Sequence, residues 1–183
     1  SGDQDLFIDG DFGSTFYGQA GRDSFIGQGG NDVMYGGDGK DNLWGGDDDD
    51  TLVGGRGYDS LVGEAGHDIL TGGKGGDTFF FADVALGQGA GQAGTDSITD
   101  FGFGADMIAL SQTIFSSIGG KLNAGEFHVG GGGHAADAND YINYNPNNGK
   151  LFYDPDGDGA MSRIKFAALE GAPDLSHHDF MMI

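Results

Sequence analysis

Eight aspartates in the first part of the chain recur at intervals of nine or eighteen residues, each after a glycine-rich turn. Each carboxylate supplies a hard anionic oxygen, and glycine lets backbone carbonyls point inward because it accepts positive φ without a Cβ clash. Calcium binds roughly six to eight such oxygens at about 2.3–2.6 Å. The spacing therefore predicts calcium sites. The recurring aspartates are Asp5, Asp23, Asp32, Asp41, Asp50, Asp59, Asp68 and Asp77.

All of these residues except Asp5 belong to a nine-residue repeat that runs from residue 18 to residue 80 without insertion or deletion. Its pattern is G-G-x-G-x-D-x-U-x, in which U is a large apolar residue. Two looser copies precede it, at residues 1–8 and 9–17. The seven regular copies read GQAGRDSFI, GQGGNDVMY, GGDGKDNLW, GGDDDDTLV, GGRGYDSLV, GEAGHDILT and GGKGGDTFF.

In each copy, the first six residues are expected to turn the chain and the last three to form a short strand. Two copies then make one coil, and odd and even copies form opposite walls of a parallel β-roll. Alternation along a strand directs the U residues inward. One wall stacks Phe7, Phe25, Leu43, Leu61 and Phe79, and the other stacks Phe16, Met34, Leu52 and Leu70.

One turn cannot supply every oxygen that calcium needs, whereas two turns about 4.8 Å apart can hold an ion between them. Odd copies place their aspartates on one edge of the roll, and even copies place theirs on the other. Counting gaps between successive turns gives a maximum of seven ions, and we expect about five or six. Ser14 stands where the second copy should carry Asp, so its site should be weakened.

The array resembles the parallel β-roll of the RTX, or hemolysin-type calcium-binding, family, most strongly over residues 36–80. The resemblance implies that alternating turn carbonyls and aspartate side chains bind Ca²⁺. Departures from the pattern are Asp48 at the fourth position and Gln19, Gln28 and Glu64 at the second. The implied metal-site residues are Asp5, Gly18, Gly21, Asp23, Gly27, Gly30, Asp32, Gly36, Gly37, Gly39, Asp41, Gly45, Gly46, Asp48, Asp50, Gly54, Gly55, Gly57, Asp59, Gly63, Gly66, Asp68, Gly72, Gly73, Gly75 and Asp77.

The alternative interpretation is a glycine-rich repeat that forms a metal-free solenoid or a flexible linker. Without cations, adjacent coils would crowd carboxylates together, and like charges at close range destabilise one another. Strands of three residues cannot compensate for that repulsion. The calcium interpretation is therefore favoured.

Composition narrows the possible partners. Eight basic residues against 29 acidic ones give a formal charge of −21, which disfavours nucleic acid and anionic membranes. No apolar run approaches the roughly 18 residues of a membrane span. There is no cysteine for disulfides. Residues 1–30 show no basic segment followed by an apolar stretch, so we expect no signal peptide within them. Because the chain opens partway through a repeat, we expect it to be a fragment of a longer protein.

Residues 81–183 contain no regular nonapeptide and predict a β-rich cap after the roll of residues 1–80. Strand-like runs at residues 141–144 and 150–153, joined by a turn with Pro and Asn-Gly, predict a hairpin. Another strand is expected at residues 162–167, and loops are expected at 86–94 and 129–140. The predicted fold class is all-β, a parallel β-roll followed by a β-rich C-terminal cap.

Residues 95–111 and the chain from residue 151 onward also resemble the cap of RTX proteins. Residues 179–183, an acidic residue followed by apolar ones, resemble uncleaved type I secretion signals; a final β-strand is the alternative, and both can hold. The resemblance implies export through an ABC exporter of a Gram-negative bacterium. Low cytosolic calcium would keep the roll open, and millimolar calcium outside the cell would fold it.

Residues 154–159 read D-P-D-G-D-G, like the start of an EF-hand loop, but the twelfth position would be Lys165 instead of Glu. A polar hairpin turn is favoured over a weak extra calcium site. No nucleophile motif is present, so we expect no catalysis within this chain. Two classes of parent protein are compatible with the sequence: a secreted metalloprotease, lipase or polysaccharide-modifying enzyme with upstream catalysis, or a polysaccharide-binding adhesin. Trp44 is a single surface aromatic at an outward position, which is weak evidence for sugar binding.

Overall fold

A computed structural model describes residues 3–82, 95–131, 139–158 and 163–183. The described chain is built from strands and a single turn of 3₁₀ helix, His177–Asp179. The strands are β1 Leu6–Ile8, β2 Thr15–Gly21, β3 Ser24–Gln28, β4 Val33–Gly39, β5 Asn42–Asp47, β6 Thr51–Gly57, β7 Ser60–Ala65, β8 Ile69–Gly75, β9 Thr78–Phe81, β10 Asp96–Ile98, β11 Met107–Leu110, β12 Phe127–Val129, β13 Ile142–Asn145, β14 Lys150–Tyr153, β15 Ile164–Leu169 and β16 Phe180–Met182.

The strands form two sheets, and the nonapeptides alternate between them. One sheet has the order β1-β3-β5-β7-β9-β11-β16, and the other has the order β12-β13-β14-β15-β10-β8-β6-β4-β2. Repeat strands pair in parallel, and each residue faces the one eighteen positions later, as Phe25 faces Leu43 and Leu43 faces Leu61. The prediction of a parallel β-roll with two nonapeptides in each coil is confirmed.

The inward U residues fill the space between the two walls. Those from Phe25 to Phe79 on one wall, and from Met34 to Leu70 on the other, have no exposed surface. The first coil is different because β1 and β2 have a neighbour on one side only. There Phe7 is 42% exposed, although its ring lies 5.4 Å from that of Phe25. Large apolar side chains beside it, such as Phe12 at 83%, are also exposed.

Both sheets continue beyond the regular repeats. Strand β10 pairs in parallel with β8, so that Ile98 faces Leu70, and β11 pairs in parallel with β9, so that Ile108 faces Phe79. These two strands therefore extend each wall by one strand and add one more coil to the roll. The loop expected at residues 86–94 lies outside the described residues.

The remaining strands extend the sheets into the cap. Strand β15 pairs in parallel with β10, and β13, β14 and β15 form an antiparallel meander. This confirms the hairpin predicted from residues 141–153, and the expected strand at 162–167 is found as β15. The chain ends in β16, which pairs with β11 as a closing strand. Of the loop expected at 129–140, residues 132–138 lie outside the described residues.

The cap and the roll share one hydrophobic core. Phe166 on β15 connects them, since its ring lies 5.2 Å from Phe81 at the end of the repeats and 5.2 Å from Phe115 in the cap. In the portion of the chain that the structure describes, no helix has the length and apolar character needed to cross a membrane.

Candidate metal centre

The sixth-position aspartates are buried in the turns and bonded to the coil before. In each case Oδ1 accepts a hydrogen bond from the backbone N–H eighteen residues earlier, at 2.7 to 2.9 Å. This bond fixes the carboxylate and links successive coils. The aspartates so bonded are Asp23, Asp32, Asp41, Asp50, Asp59, Asp68 and Asp77, all at most 1% exposed.

The other oxygen of the carboxylate is used differently. In six of these aspartates, Oδ2 is buried and has no hydrogen-bond partner among the residues that the structure describes. An uncompensated carboxylate oxygen in a buried site is costly, and such groups are normally paired or bound to a metal. The six residues are Asp23, Asp32, Asp41, Asp50, Asp59 and Asp77.

Because the first residue of each regular repeat is glycine, the space beside Oδ2 contains no side chain. A Cβ added to Gly54 would lie 2.6 Å from Asp59 Oδ2 and 2.7 Å from the carbonyl oxygen of Gly72 in the next coil. The space therefore borders two negatively polarised oxygens from successive turns. The same pairing of a carboxylate with a carbonyl oxygen recurs beside Gly18, Gly27, Gly36 and Gly45.

These residues fit a hard divalent cation. Carboxylate and carbonyl oxygens from two turns are the ligands that calcium prefers. Within the described ranges, no three Asp, Glu or His side chains converge on one point. An ion in these turns would therefore depend on backbone carbonyls as well as carboxylates, as the resemblance implies.

Positive φ is retained where the sequence departs from glycine. Gln19, Gln28, Asp48 and Glu64 adopt φ values of 71 to 76°. At the same repeat position as Gln19, Gly37 has φ 110°, and a Cβ there would meet the Gln19 carbonyl. These side chains therefore occupy a backbone region that favours glycine, at a cost of roughly 1–3 kcal/mol each. The other positive-φ turn glycines are Gly21, Gly30, Gly39, Gly46, Gly55, Gly57, Gly66, Gly73 and Gly75.

The electrostatics of the turns also favour a bound cation. Burial, together with carboxylates in neighbouring coils and against an opposing backbone hydrogen bond, raises the pKa of Asp50 and of Asp59 to about 7. Burial likewise raises the pKa of Asp32, Asp41 and Asp77. Ionising these stacked carboxylates without a counter-ion is therefore unfavourable.

Two sequence-predicted residues lie apart from this arrangement. Asp5, at the partly exposed first coil, contributes its N–H to Asp23 Oδ1 at 2.8 Å. Asp48 is exposed, and its Oδ2 accepts a hydrogen bond from Gly30 N at 3.2 Å. The Ser14 hydroxyl donates to the Phe12 carbonyl, and the second copy has no carboxylate at the sixth position of its turn.

Two further turn aspartates were missed in the sequence. Asp96 Oδ1 accepts from Asp68 N at 3.2 Å, and Asp106 Oδ1 accepts from Asp77 N at 2.9 Å, which is the repeat geometry. The signal was present as GQAGTDSIT at residues 91–99 and FGFGADMIA at 101–109. Residues 91–94 of the first copy lie outside the described residues.

In the turn that contains Asp106, a backbone N–H group bonds the second carboxylate oxygen. Asp106 Oδ2 accepts a hydrogen bond from Gly102 N at 2.8 Å, and Phe101 occupies the place of the first glycine. Asp100 accepts from the N–H groups of Gly72 and Gly73 at 2.9 and 2.7 Å. Carboxylate–backbone hydrogen bonds thus complete the last coil.

Parallel strands, eighteen-residue coils and acidic turns define a β-roll of the class that carries calcium in its turns. Comparison with protein families identifies the repeat: residues 8–43 and 44–79 match the RTX calcium-binding nonapeptide repeat (4 copies). This part of the chain is therefore an array of RTX calcium-binding repeats folded as a β-roll. No curated protein matches the chain.

Proposed function

We propose that this chain is the calcium-dependent folding module of a secreted protein. Several Ca²⁺ ions fill the turns of the β-roll outside the cell, and the folded roll stabilises the parent protein and supports its type I secretion. The observation that carries this proposal is the ladder of buried, unpartnered Oδ2 atoms, each beside a first-position glycine. A cation is the missing partner for these oxygens.

Five of the gaps between successive turns are bordered by both a carboxylate oxygen and a carbonyl oxygen. In each, Oδ2 of one turn and the first-glycine carbonyl of the next coil border the same space. About five ions are therefore expected there. The paired residues are Asp23 with Gly36, Asp32 with Gly45, Asp41 with Gly54, Asp50 with Gly63, and Asp59 with Gly72.

Binding and folding are one equilibrium in this proposal. The gaps exist only when coils stack, so the unfolded chain has no preformed site and binding free energy becomes folding free energy. Extracellular calcium modules bind with Kd values of about 10⁻⁴–10⁻³ M. Such an affinity leaves the roll unfolded in a bacterial cytosol and folds it outside a Gram-negative cell.

Far-UV circular dichroism of the full chain tests the calcium dependence. In chelator the roll should be largely unfolded, and added calcium should restore β signal cooperatively. Magnesium should not replace calcium because it requires a tight octahedron and dehydrates reluctantly. A β-roll that survives exhaustive chelation unchanged would overturn the proposal.

The secretion signal is proposed for residues 179–183. Phe180 is 6% exposed, and its ring lies 5.3 Å from that of Phe127, so this segment also has a packing role. Deleting residues 180–183 should abolish export from a host with a matching ABC exporter. Normal export together with impaired calcium-dependent folding would show that the segment is a strand and not a signal.

The role of the parent protein is a separate hypothesis. Catalysis by a metalloprotease, lipase or polysaccharide-modifying domain would lie upstream, and an upstream catalytic motif would decide for it. A polysaccharide-binding adhesin is the alternative. Trp44 and Phe80 line a shallow hollow on the outer face of the roll, so Trp44→Ala is the variant with which to test glycan binding by this chain.

A further inference from the structure

A second group of buried polar side chains lies in the cap, away from the roll. Asp140 is 5% exposed, and Asn143 and Asp154 have no exposed surface. They lie where the β13–β14 hairpin meets the turn that follows β14. Acidic residues are almost never fully buried unless paired or bound to a cation. For Asp140, Oδ2 lies 3.7 Å from His128 Nδ1, which is one such partner.

The hairpin register brings two of these residues to one face. Ile142 faces Tyr153, and Asn143 faces Phe152. Asp154 N donates to the Tyr141 carbonyl at 2.8 Å, which continues the pairing by one residue. Because directly opposed residues share a face and alternate residues along a strand do too, Asp154 lies on the face of Asn143.

Backbone contacts hold the start of the hairpin against the turn. Asp140 N donates to the Gly157 carbonyl at 3.2 Å, and Asn143 Nδ2 donates to the Asp140 carbonyl at 2.8 Å. The amide of Asn143 is thus anchored beside the turn by its nitrogen. Its oxygen, Oδ1, is buried and has no hydrogen-bond partner within the described part of the chain.

A buried amide oxygen without a protein donor is a position at which a cation can bind. Calcium accepts Asn oxygens, carboxylates and carbonyls together. The turn begins D-P-D-G-D, with Asp154, Asp156 and Asp158 at alternate positions and Gly157 at φ 70°. Lys165, at the twelfth position of an EF-hand count, belongs to strand β15 and faces Phe152.

We propose that the cap holds its own calcium ion, bound by Asn143 Oδ1 and by carboxylates of Asp154 and Asp156. Strand β13 supplies the oxygen that a terminal Glu supplies in an EF-hand loop. Within the described residues, the acidic side chains alone form no group that could hold a metal, so the site depends on Asn143. This site is independent of the proposed function of the roll.

Counting ions on the full chain tests the cap site. Native mass spectrometry at saturating calcium should find one ion fewer in Asn143→Leu than in wild type. The matched control is Asn148→Leu, in the exposed turn of the same hairpin, which should keep the wild-type count. An equal count in both variants would overturn the cap site, whereas a wild type without calcium would contradict the function of the roll.

Asn143→Asp separates the loss of an ion from the loss of the fold. With a cation present, the added carboxylate should lower the calcium midpoint of one ion by roughly tenfold, since ligand charge sets affinity in such sites. Without a cation, it buries another negative charge near Asp140 and Asp154. A lower melting temperature in saturating calcium, with no tightened ion, would therefore reject the proposal.

Discussion

Two turns of the same roll carry an aspartate in the same position and use it differently. At Asp59, Oδ1 accepts from Asp41 N and Oδ2 is buried without a partner. At Asp106, Oδ1 accepts from Asp77 N and Oδ2 accepts from Gly102 N. The repeat turn begins with glycine, whereas the last turn begins with Phe101. The need for a cation therefore comes from the space beside the aspartate and not from the aspartate alone.

This difference divides the roll into two kinds of coil. Repeat coils leave carboxylate oxygens without donors, so their stacking depends on the cation. The last coil is completed by hydrogen bonds, and Phe81 at its border packs on Phe166 of the cap. The cap end should consequently persist when the repeats do not.

Removing calcium should produce the largest difference in stability between the repeat coils and the last coil. Hydrogen exchange of the full chain in chelator should show strands β3 to β8 losing protection almost completely. Strands β11, β14 and β15 should retain more of it because hydrogen bonds and aromatic packing hold them. Uniform loss of protection along the chain would show that the two kinds of coil are not distinct.

Replacing one aspartate in the middle of the ladder should have the next largest effect. Asp59→Ala removes a carboxylate from the turn and a hydrogen bond to Asp41 N, so the calcium midpoint should rise by an amount equivalent to roughly 2–3 kcal/mol. The control is Ser14→Ala, because the sixth position of that turn has no carboxylate to lose. Equal shifts in calcium titrations of the two variants would mean that the assigned register is wrong.

Filling the space without touching the carboxylate isolates the role of the glycine. In Gly54→Ala, the new Cβ lies 2.6 Å from Asp59 Oδ2 and 2.7 Å from the Gly72 carbonyl, so a calcium ion should be lost at a cost of about 1–3 kcal/mol. Gly119→Ala is the control, because a Cβ there meets nothing within 4 Å. If both variants bind the same number of ions, the space is not a metal site.

Acid should partly substitute for calcium in the metal-free roll. The pKa of Asp50 and Asp59 is raised from 3.8 to about 7 on folding, so between these values the folded state holds protons that the unfolded chain has released. Stability of the metal-free roll should therefore rise as pH falls below 7, with the gain complete near pH 3.8.

Circular dichroism of metal-free protein from pH 8 to pH 5 checks this sign. Protons compete with calcium for the same oxygens, so the calcium midpoint should increase over the same range. A metal-free β signal that grows with rising pH would contradict the proposed burial of these carboxylates.

Relieving one strained turn should give the smallest effect. Gln19→Gly places glycine at φ 72°, and the calcium midpoint should fall by an amount equivalent to about 1 kcal/mol. Its neighbour Ala20 has no positive φ, so Ala20→Gly should instead raise the midpoint slightly through backbone entropy. A lower calcium midpoint in both variants would show that backbone strain at Gln19 is not the cause.

The repeat made much of this structure predictable. A strict nine-residue period determines which side chains face inward, so Phe25, Leu43 and Leu61 could be placed in one wall directly. The hairpin of β13 and β14 followed from its turn residues. Each of these features depends on residues close together in the chain or on an unbroken period.

Features that depend on distant pairing could not be predicted in this way. Asp68 and Asp96 are 28 residues apart, so the insertion between them hid two further nonapeptides. The second of these nonapeptides was also difficult to recognise because Phe101 occupies the position of its first glycine. The burial of Asn143 follows only from how β13 packs beside the turn after β14, which no local pattern reports.

In the isolated chain, the exposed side of the first coil affects how the molecules behave toward one another. Among the described residues, strands β1 and β2 each have one unpaired edge, and Leu6 and Ile8 of β1 and Phe12 between the two strands are exposed. Such edges promote self-association, which a formal charge of −21 opposes by mutual repulsion. Each bound calcium ion cancels two of those charges. The ion that folds the roll therefore also weakens its colloidal protection, and the solubility of the isolated chain should decrease as its turns fill.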